Sequence, residues 1–440
     1  MEVYLKFISS RVANGTGVSF SEAILNCVPE DGGMYVPIFD ESLANWIFYM
    51  NGQTSFQSIA GTLTSALIKN EFSPIICETI ATKAFPFSPE LKQLDDNLFA
   101  LELFHGPTGC YKDFAISYFA SCLENILIMN EKTATILAVT NGETGACIVE
   151  ALKNKTRLKA VLLYTKESMR KIDSSCLIEN GGNILAVEVN GTEEQCFEVV
   201  RQILKDKDFS NQYNLTLANS VNIGRVLPMI FPYIYAFTRL KNKTCGDIFY
   251  SMDAGNYGNL VSGLYAWKSS LPVNGFITNC TDSLLLDSFG KCKILDSTTF
   301  EGKRDATDPA NPKNLERLES VFNTNSMLLK GLVFPAVVTE KDKVQACKEA
   351  YEKYGYFLDM QSSLAYAAAL KQNDTVMDQD GSVVLIARNH PGLAETEIKY
   401  ILGESVKLPE SIKKLYEKEN DKKIIEPDVK SVKKLLKKYF

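Results

Sequence analysis

Histidine is almost missing from this 440-residue chain, which holds only His105 and His390. Two cannot build a multi-histidine metal centre, and they leave a Ser-His-Asp hydrolase with two candidate bases at most. Close cysteine pairs are missing too. The eleven cysteines stand at positions 27, 77, 110, 122, 147, 176, 196, 245, 280, 292 and 347, with no C-x-x-C anywhere. An odd number without close pairs argues against a disulfide framework or a zinc ribbon and for reduced thiols in the cytoplasm. The longest apolar run, Val226 to Phe237, contains Pro228 and Pro232 and is too short to cross a bilayer, so no membrane association is expected. The first residues, MEVYLKFISSRVANG, lack an apolar core segment, so no signal peptide is expected. Nor is there an excess of basic residues. The 47 Lys plus Arg face 53 Asp plus Glu, a net charge of −6, which is not the footprint of a nucleic-acid binder.

What is present reads as an ordinary globular chain of about three structural units, with 45% hydrophobic and 23% charged residues. From about Thr133 onward, short β-branched runs alternate with segments of helical period. The runs predict strands at Thr135–Val139, Lys159–Tyr164, Asn183–Val189, Asp247–Met252, Val273–Thr278 and Ser382–Ala387. Helices are predicted at Thr144–Lys153, Glu167–Glu179, Glu193–Lys205, Asn222–Leu240, Asn256–Ser269, Glu340–Tyr354 and Ser363–Gln372. Such alternation implies parallel sheets covered by helices on both faces, an α/β fold whose ligands sit at the carboxyl ends of the strands. The first ninety or so residues read instead as mainly helical, with Ser19 and Glu22 at capping-box spacing. In the last forty residues eleven lysines face seven acids, which predicts an amphipathic segment with a solvated basic face.

Two glycine-bearing turns, TNGETGA from Thr140 and AGNYGN from Ala254, each follow a predicted strand and open a predicted helix. Backbone N–H groups at such turns suit an anion, although glycines there can equally serve helix–strand packing. Neither turn has the G-x-G-x-x-G or P-loop spacing. Together they suit a ligand with two anionic ends. A third segment, HGPTGCYKDFA from His105, passes through Gly106, Pro107 and Gly109 before Lys112 and Asp113 open an apolar helical run. A lysine at a helix N-terminus opposes the macrodipole, and among apolar neighbours it can lose its proton and act as a Schiff-base nucleophile.

These residues carry a resemblance. HGPTGCYKD resembles the HGPT-x-x-x-KD segment of threonine synthases, whose lysine holds pyridoxal 5′-phosphate. Ser9–Arg11 and the stretch from Val18 to Pro37 are similar to the family's N-terminal segment. SVNIGRVLP, GNYGN, TNCTD and ATDPANPKNLERL resemble further family segments in the same order. The resemblance implies the architecture of fold type II pyridoxal-phosphate enzymes, like the tryptophan synthase β subunit. It implies a mainly helical N-terminal domain at 1–90, a two-lobed core at 91–400 with a smaller lobe at about 115–235, and a C-terminal extension at 401–440. Lys112 is implied as the Schiff-base and proton-carrying residue. Gly255, Asn256, Tyr257, Gly258 and Asn259 are implied to hold the cofactor phosphate, and Glu143 to lie near the cofactor ring. Thr140, Asn141, Gly142 and Thr144 would meet the substrate carboxylate, and Ser220, Asn222 and Arg225 its phosphate. No metal is implied. The implied reaction is that of a lyase of threonine biosynthesis, converting O-phospho-L-homoserine and water to L-threonine and phosphate in a monomer or homodimer.

The sequence departs from the family at the proposed site. Asn141 and Glu143 replace a serine and an aspartate, Met229 a glutamine, and Gln361 a histidine. Arg388, in ARNHPG, falls where a threonine faces the pyridine nitrogen. Arg388 is expected to face the cofactor; the alternative is a register shift that turns it outward. These departures leave open a related lyase or replacement enzyme for another phosphorylated amino acid, and a cofactor-binding relative without turnover.

Overall fold

The computed structural model describes residues 7–12, 17–39, 42–68, 71–169, 182–244, 246–295, 305–323, 325–376, 381–415 and 423–440. Two sheets organise the molecule. The larger has six strands in the order Val333–Ala336, Gly275–Asn279, Ile248–Met252, Ser382–Ala387, Leu98–Glu102 and Glu90–Asp95. All neighbours are parallel except the last pair, an antiparallel hairpin. The smaller sheet is fully parallel, in the order Ile424–Ile425, Ile184–Val189, Leu158–Tyr164, Ala134–Val139 and Leu215–Thr216. The α/β class with two parallel-sheet lobes is therefore as expected.

The strand run Leu158–Tyr164 shows why these segments read as continuous apolar runs. Leu158, Ala160, Leu162 and Tyr164 enter the main core, while Val161 and Leu163 enter a second core on the opposite face. Both faces are covered, so no polar alternation is needed. The observed bounds of the predicted strands move by at most two residues.

The predicted helix Asn222–Leu240 is corrected. It is two short 3₁₀ turns, Ile223–Arg225 and Leu227–Met229, followed by the α-helix Ile230–Leu240. Pro228 lacks the amide a continuous helix would need, and the Asn222 side chain accepts from the Gly224 amide instead. Of the predicted helix Glu167–Glu179, residues 167–169 lie in a turn and the rest falls outside the described residues. The helix predicted at Ser363–Gln372 extends over Met360–Val376.

In the N-terminal region, the helices Phe20–Asn26, Ala44–Tyr49, Phe56–Leu67 and Pro74–Ala84 accompany the two-stranded pair Phe7–Ser9 and Tyr35–Pro37. Ser19 caps the first by accepting from the Glu22 amide. This region clamps the helix Lys112–Met129. Phe114 packs against Phe56, Phe85 and Phe87 at ring distances of 5.5, 6.1 and 5.0 Å, and the Tyr118 hydroxyl bonds that of Thr64 at 2.8 Å. Each buried phenylalanine contributes about 1.5–3 kcal/mol, so the start of that helix is fixed by a stiff aromatic cluster. At the other end of the chain, Ile424–Ile425 adds an edge strand to the smaller sheet, and the helix Val429–Tyr439 buries Val432 and Leu436 in that lobe. Of the predicted amphipathic segment, Val429–Tyr439 is thus a docked helix, with Lys430, Lys434, Lys437 and Lys438 exposed. No described helix is long and apolar enough to cross a membrane.

Candidate active site

Four loops leave the carboxyl ends of parallel strands and converge. The first runs from Leu98–Glu102 to Lys112, the first residue of its helix. A Cβ on Gly106 would lie 2.4 Å from Asp113 Oδ2, so only glycine lets the loop pass that carboxylate. Thr108 donates to the same oxygen from its amide at 2.9 Å and from its hydroxyl at 3.0 Å. Burial nonetheless pushes the Asp113 carboxyl up to about 6. Gly109 turns with φ +73°, the left-handed region that favours glycine.

This path delivers Lys112 into a pocket where its side chain is 17% exposed and Nζ donates to Glu143 Oε2 at 2.9 Å. Burial pulls the ammonium down, but the Glu143 carboxylate, with Cys110 and Tyr111, outweighs it and holds the amine above its ordinary value. The apolar flanks predict a neutral lysine; the structure holds a charged one, because a carboxylate from another strand turn faces it.

Glu143 opens the helix Glu143–Leu152 after Gly142, whose φ is +101°. The Thr140 hydroxyl accepts from the amides of Gly142 at 3.1 Å and Gly145 at 2.8 Å, so it shapes the turn from inside. Asn141 and Thr144 remain partly exposed. The fourth loop reaches this turn through Asn389, whose Nδ2 donates to Glu143 Oε1 at 3.5 Å.

The third loop, Asp253 to Asn259, leads from Ile248–Met252 into the helix Gly258–Lys268. Gly255 at φ +45° and Tyr257 at φ +66° curl the backbone. Asn256 Oδ1 accepts from the Gly258 amide at 3.2 Å, the Tyr257 hydroxyl bonds Thr281 Oγ1 at 2.7 Å, and the Asn259 carbonyl accepts from Tyr233 at 2.8 Å. Gly255 and Asn256 stay exposed at the start of an eleven-residue helix, a geometry suited to a phosphate.

The segment Ser220–Arg225 lies beside this loop. Ser220 Oγ accepts from Asn256 Nδ2 at 2.8 Å and Asn314 Nδ2 at 3.0 Å. Arg317, missed by the sequence reading, is fully buried and donates to the carbonyls of Tyr35, Ser220 and Val221, fixing this segment from beneath. Asn222, expected at the substrate phosphate, has its side chain engaged in fixing the loop. Its Nδ2 donates to the Ile24 and Leu217 carbonyls and to Cys27 Sγ, and its Oδ1 is taken by Gly224. Arg225 donates from Nη1 to the Ala218 carbonyl, while its buried Nε has no partner. Burial lowers this guanidinium, and Tyr111, Cys147 and Cys110 act against that shift.

The fourth loop follows Ser382–Ala387. It is pinned to the lysine loop by the Tyr111 amide on the Arg388 carbonyl and the His390 amide on the Gly109 carbonyl, both 2.8 Å. Arg388 points inward, so the outward register does not occur. Its guanidinium is ion-paired with Asp253 and lies 4.4 Å from the Tyr111 ring centre. Asp253 escaped the sequence reading; its signal was an acid at a buried strand end, immediately before a glycine turn. Gln361 is exposed, whereas the neighbouring Asp359 is buried and accepts from the amides of Gln361, Ser362 and Asn389. Met229 is buried in the core. His105 pairs with Glu102 at 2.8 Å, and His390 Nδ1 accepts from the Gly392 amide at 3.1 Å.

Among the described residues, eight buried side-chain polar atoms lack a hydrogen-bond partner. Four of them, Arg225 Nε, Asp253 Oδ1, Arg388 Nε and Asn389 Oδ1, belong to these converging segments. Buried polar groups are normally satisfied, so the cluster is shaped for a polar ligand.

No protein-family model matches the chain. It is 30% identical over 401 residues to threonine synthase of Serratia marcescens, with 90% of each chain covered. To threonine synthase of Escherichia coli strain K12 it is 29% identical over 402 residues, covering 90% of this chain and 91% of that one. The structure resembles the crystal structure of Escherichia coli threonine synthase with a TM-score of 0.81 at 27% identity, over 99% of this chain and 100% of that chain. Its fold also matches the pyridoxal-phosphate-bound threonine synthase of Brucella melitensis, with a TM-score of 0.83 at 21% identity over 99% of both.

Proposed function

The chain belongs to the threonine synthase family, and on that premise we propose that it converts O-phospho-L-homoserine and water to L-threonine and phosphate with pyridoxal 5′-phosphate as cofactor. The observation that carries this reading is Lys112, held at a helix start against Glu143 of the first anion-ready turn. The four unpartnered buried atoms around it fit a polar, anionic cofactor and substrate.

Lys112 would hold the cofactor, and the backbone of Gly255–Asn259 would hold its phosphate. When bound, the cofactor supplies an electron sink that makes the substrate's Cα and Cβ protons removable. Lys112, once free, takes and returns those protons, and Glu143 beside it stabilises the charged amine between transfers. The turn Thr140–Thr144 receives the substrate carboxylate beside Asn141 and Thr144, which are partly exposed. Arg225, with an unused N–H, receives the substrate phosphate, an anion that a guanidinium matches well. Ser220 supports the loop by tying Asn256 to Asn314. Phosphate leaves from Cγ and water adds at Cβ.

Several broader features belong to the same proposal. The partner is a small phosphorylated amino acid, and the acidic balance speaks against nucleic acid. All nine described cysteines are free, which supports a reducing, cytoplasmic setting. The chain would work as a monomer or homodimer, organised as 1–90, 91–400 and 401–440.

The test adds O-phospho-L-homoserine to the purified, cofactor-loaded protein and follows phosphate, threonine and 2-oxobutyrate. Equal phosphate and threonine are expected. Release of 2-oxobutyrate in place of threonine, or no phosphate release, overturns the reading. Lys112→Ala should lose both turnover and the visible absorbance of the bound cofactor.

A further inference from the structure

Arg388 and Asp253 come from different strands, 135 residues apart, and meet as an ion pair whose side chains are only 13% and 6% exposed. The Arg388 guanidinium lies against the face of Tyr111, the residue before Lys112. The glycine turn is also close, since a Cβ on Gly255 would sit 3.2 Å from Asp253 Oδ2 and 3.8 Å from Arg388 Nη1. The pair therefore adjoins both the residue before the lysine and the loop suited to the cofactor's phosphate. Each member keeps one buried polar atom without a partner, Arg388 Nε and Asp253 Oδ1. Asp359 is the other acid acting on Arg388, but it is engaged by the amides of Gln361, Ser362 and Asn389.

An unaccompanied guanidinium here would set a full positive charge beside the cofactor ring, keep its pyridine nitrogen unprotonated and so weaken it as an electron sink. We propose that Asp253 is a positioning residue that neutralises Arg388 and holds it against Tyr111, so that the bound cofactor meets a neutral ion pair. The inference rests on the functional reading above, and it explains how an arginine is compatible with that chemistry. Asp253 acts through Arg388. A charge within ~4–6 Å shifts a titrating group by roughly one to three units, so removing either member separately has effects of opposite sign.

The experiment titrates the visible absorbance of the pyridoxal-phosphate-loaded protein against pH. Asp253→Asn leaves the guanidinium unneutralised, and the midpoint of the absorbance change should fall by about one unit or more. Adding Arg388→Gln to that variant should return the midpoint to that of the parent protein. An Asp253→Asn midpoint that does not fall, or a double variant that stays as displaced as the single, overturns the inference. Should Asp253→Asn not fold because a buried charge is stranded, the double variant should fold and titrate like the parent; a double variant that also fails to fold overturns it. A parent protein that develops no visible band sinks the functional reading itself, a different result from an unmoved midpoint.

Discussion

Glu143 accepts from the Lys112 ammonium at 2.9 Å and, through its other oxygen, receives Asn389 at 3.5 Å. One carboxylate thus joins the lysine loop, the 140–144 turn and the loop after Ser382–Ala387. It also decides the lysine's charge, since burial alone would drive the amine toward neutrality.

Removing that carboxylate should release the lysine. In Glu143→Gln, desolvation acts unopposed by its largest counterweight, and the free-amine fraction at neutral pH rises about tenfold for each unit by which the ammonium falls. Stopped-flow absorbance should therefore show faster loading of pyridoxal 5′-phosphate onto cofactor-free Glu143→Gln than onto the parent at pH 7. Equal or slower loading would contradict the ion-pair assignment.

Asp113 gives a pH dependence of stability. Its carboxyl is pushed up to about 6 from an ordinary 3.8, mainly by burial. A raised folded-state value means that the contribution is fully present below about 3.8 and is lost as pH rises through 6. By linkage the loss amounts to at most about 3 kcal/mol. Asp113→Asn cannot lose a proton, so its unfolding free energy relative to the parent should improve between pH 4 and pH 6.5. Urea titrations across that window measure the difference; a constant offset would refute it.

Arg225 should matter for the phosphate end of the substrate and little for the cofactor. A lost charge-assisted hydrogen-bond pair is worth about 1.5–3 kcal/mol, so Arg225→Gln should raise KM for O-phospho-L-homoserine by roughly 10- to 100-fold. The visible spectrum of the loaded enzyme should stay as it is. A KM within twofold of the parent would remove Arg225 from the phosphate site.

The parts of this molecule that were legible in the sequence are those governed by local pattern. The run TILAV is buried on both faces of a central strand, and the segment after Lys112 is apolar all round, so both declare themselves. The strand Glu90–Asp95, ELKQLD, does not, because it is an exposed edge strand without β-branched residues. Lys112 stood out as a cation at a helix start among apolar flanks, and the two glycine turns as junctions between a strand and a helix. What Arg388, Asn222 and Arg317 do could not be read in this way, because each finds partners far along the chain: Asp253, the Ile24 carbonyl with Cys27 Sγ, and the Tyr35 carbonyl. The partner of Lys112 is hidden for the same reason: the acids near HGPTGCYKD are Glu102, which takes His105, and Asp113, which turns to Thr108, whereas Glu143 stands 31 residues further on.

The edge strand Ile424–Ile425 also orders events during synthesis. The smaller lobe's other four described strands are made by residue 216, yet the outer edge of Ile184–Val189 and the apolar hollow that takes Val432 and Leu436 wait for residues 424–436. A nascent chain therefore carries an open sheet edge and an uncovered apolar face until residues 424–436 have been made. Premature termination anywhere before Ile424 leaves that edge available for pairing with another molecule.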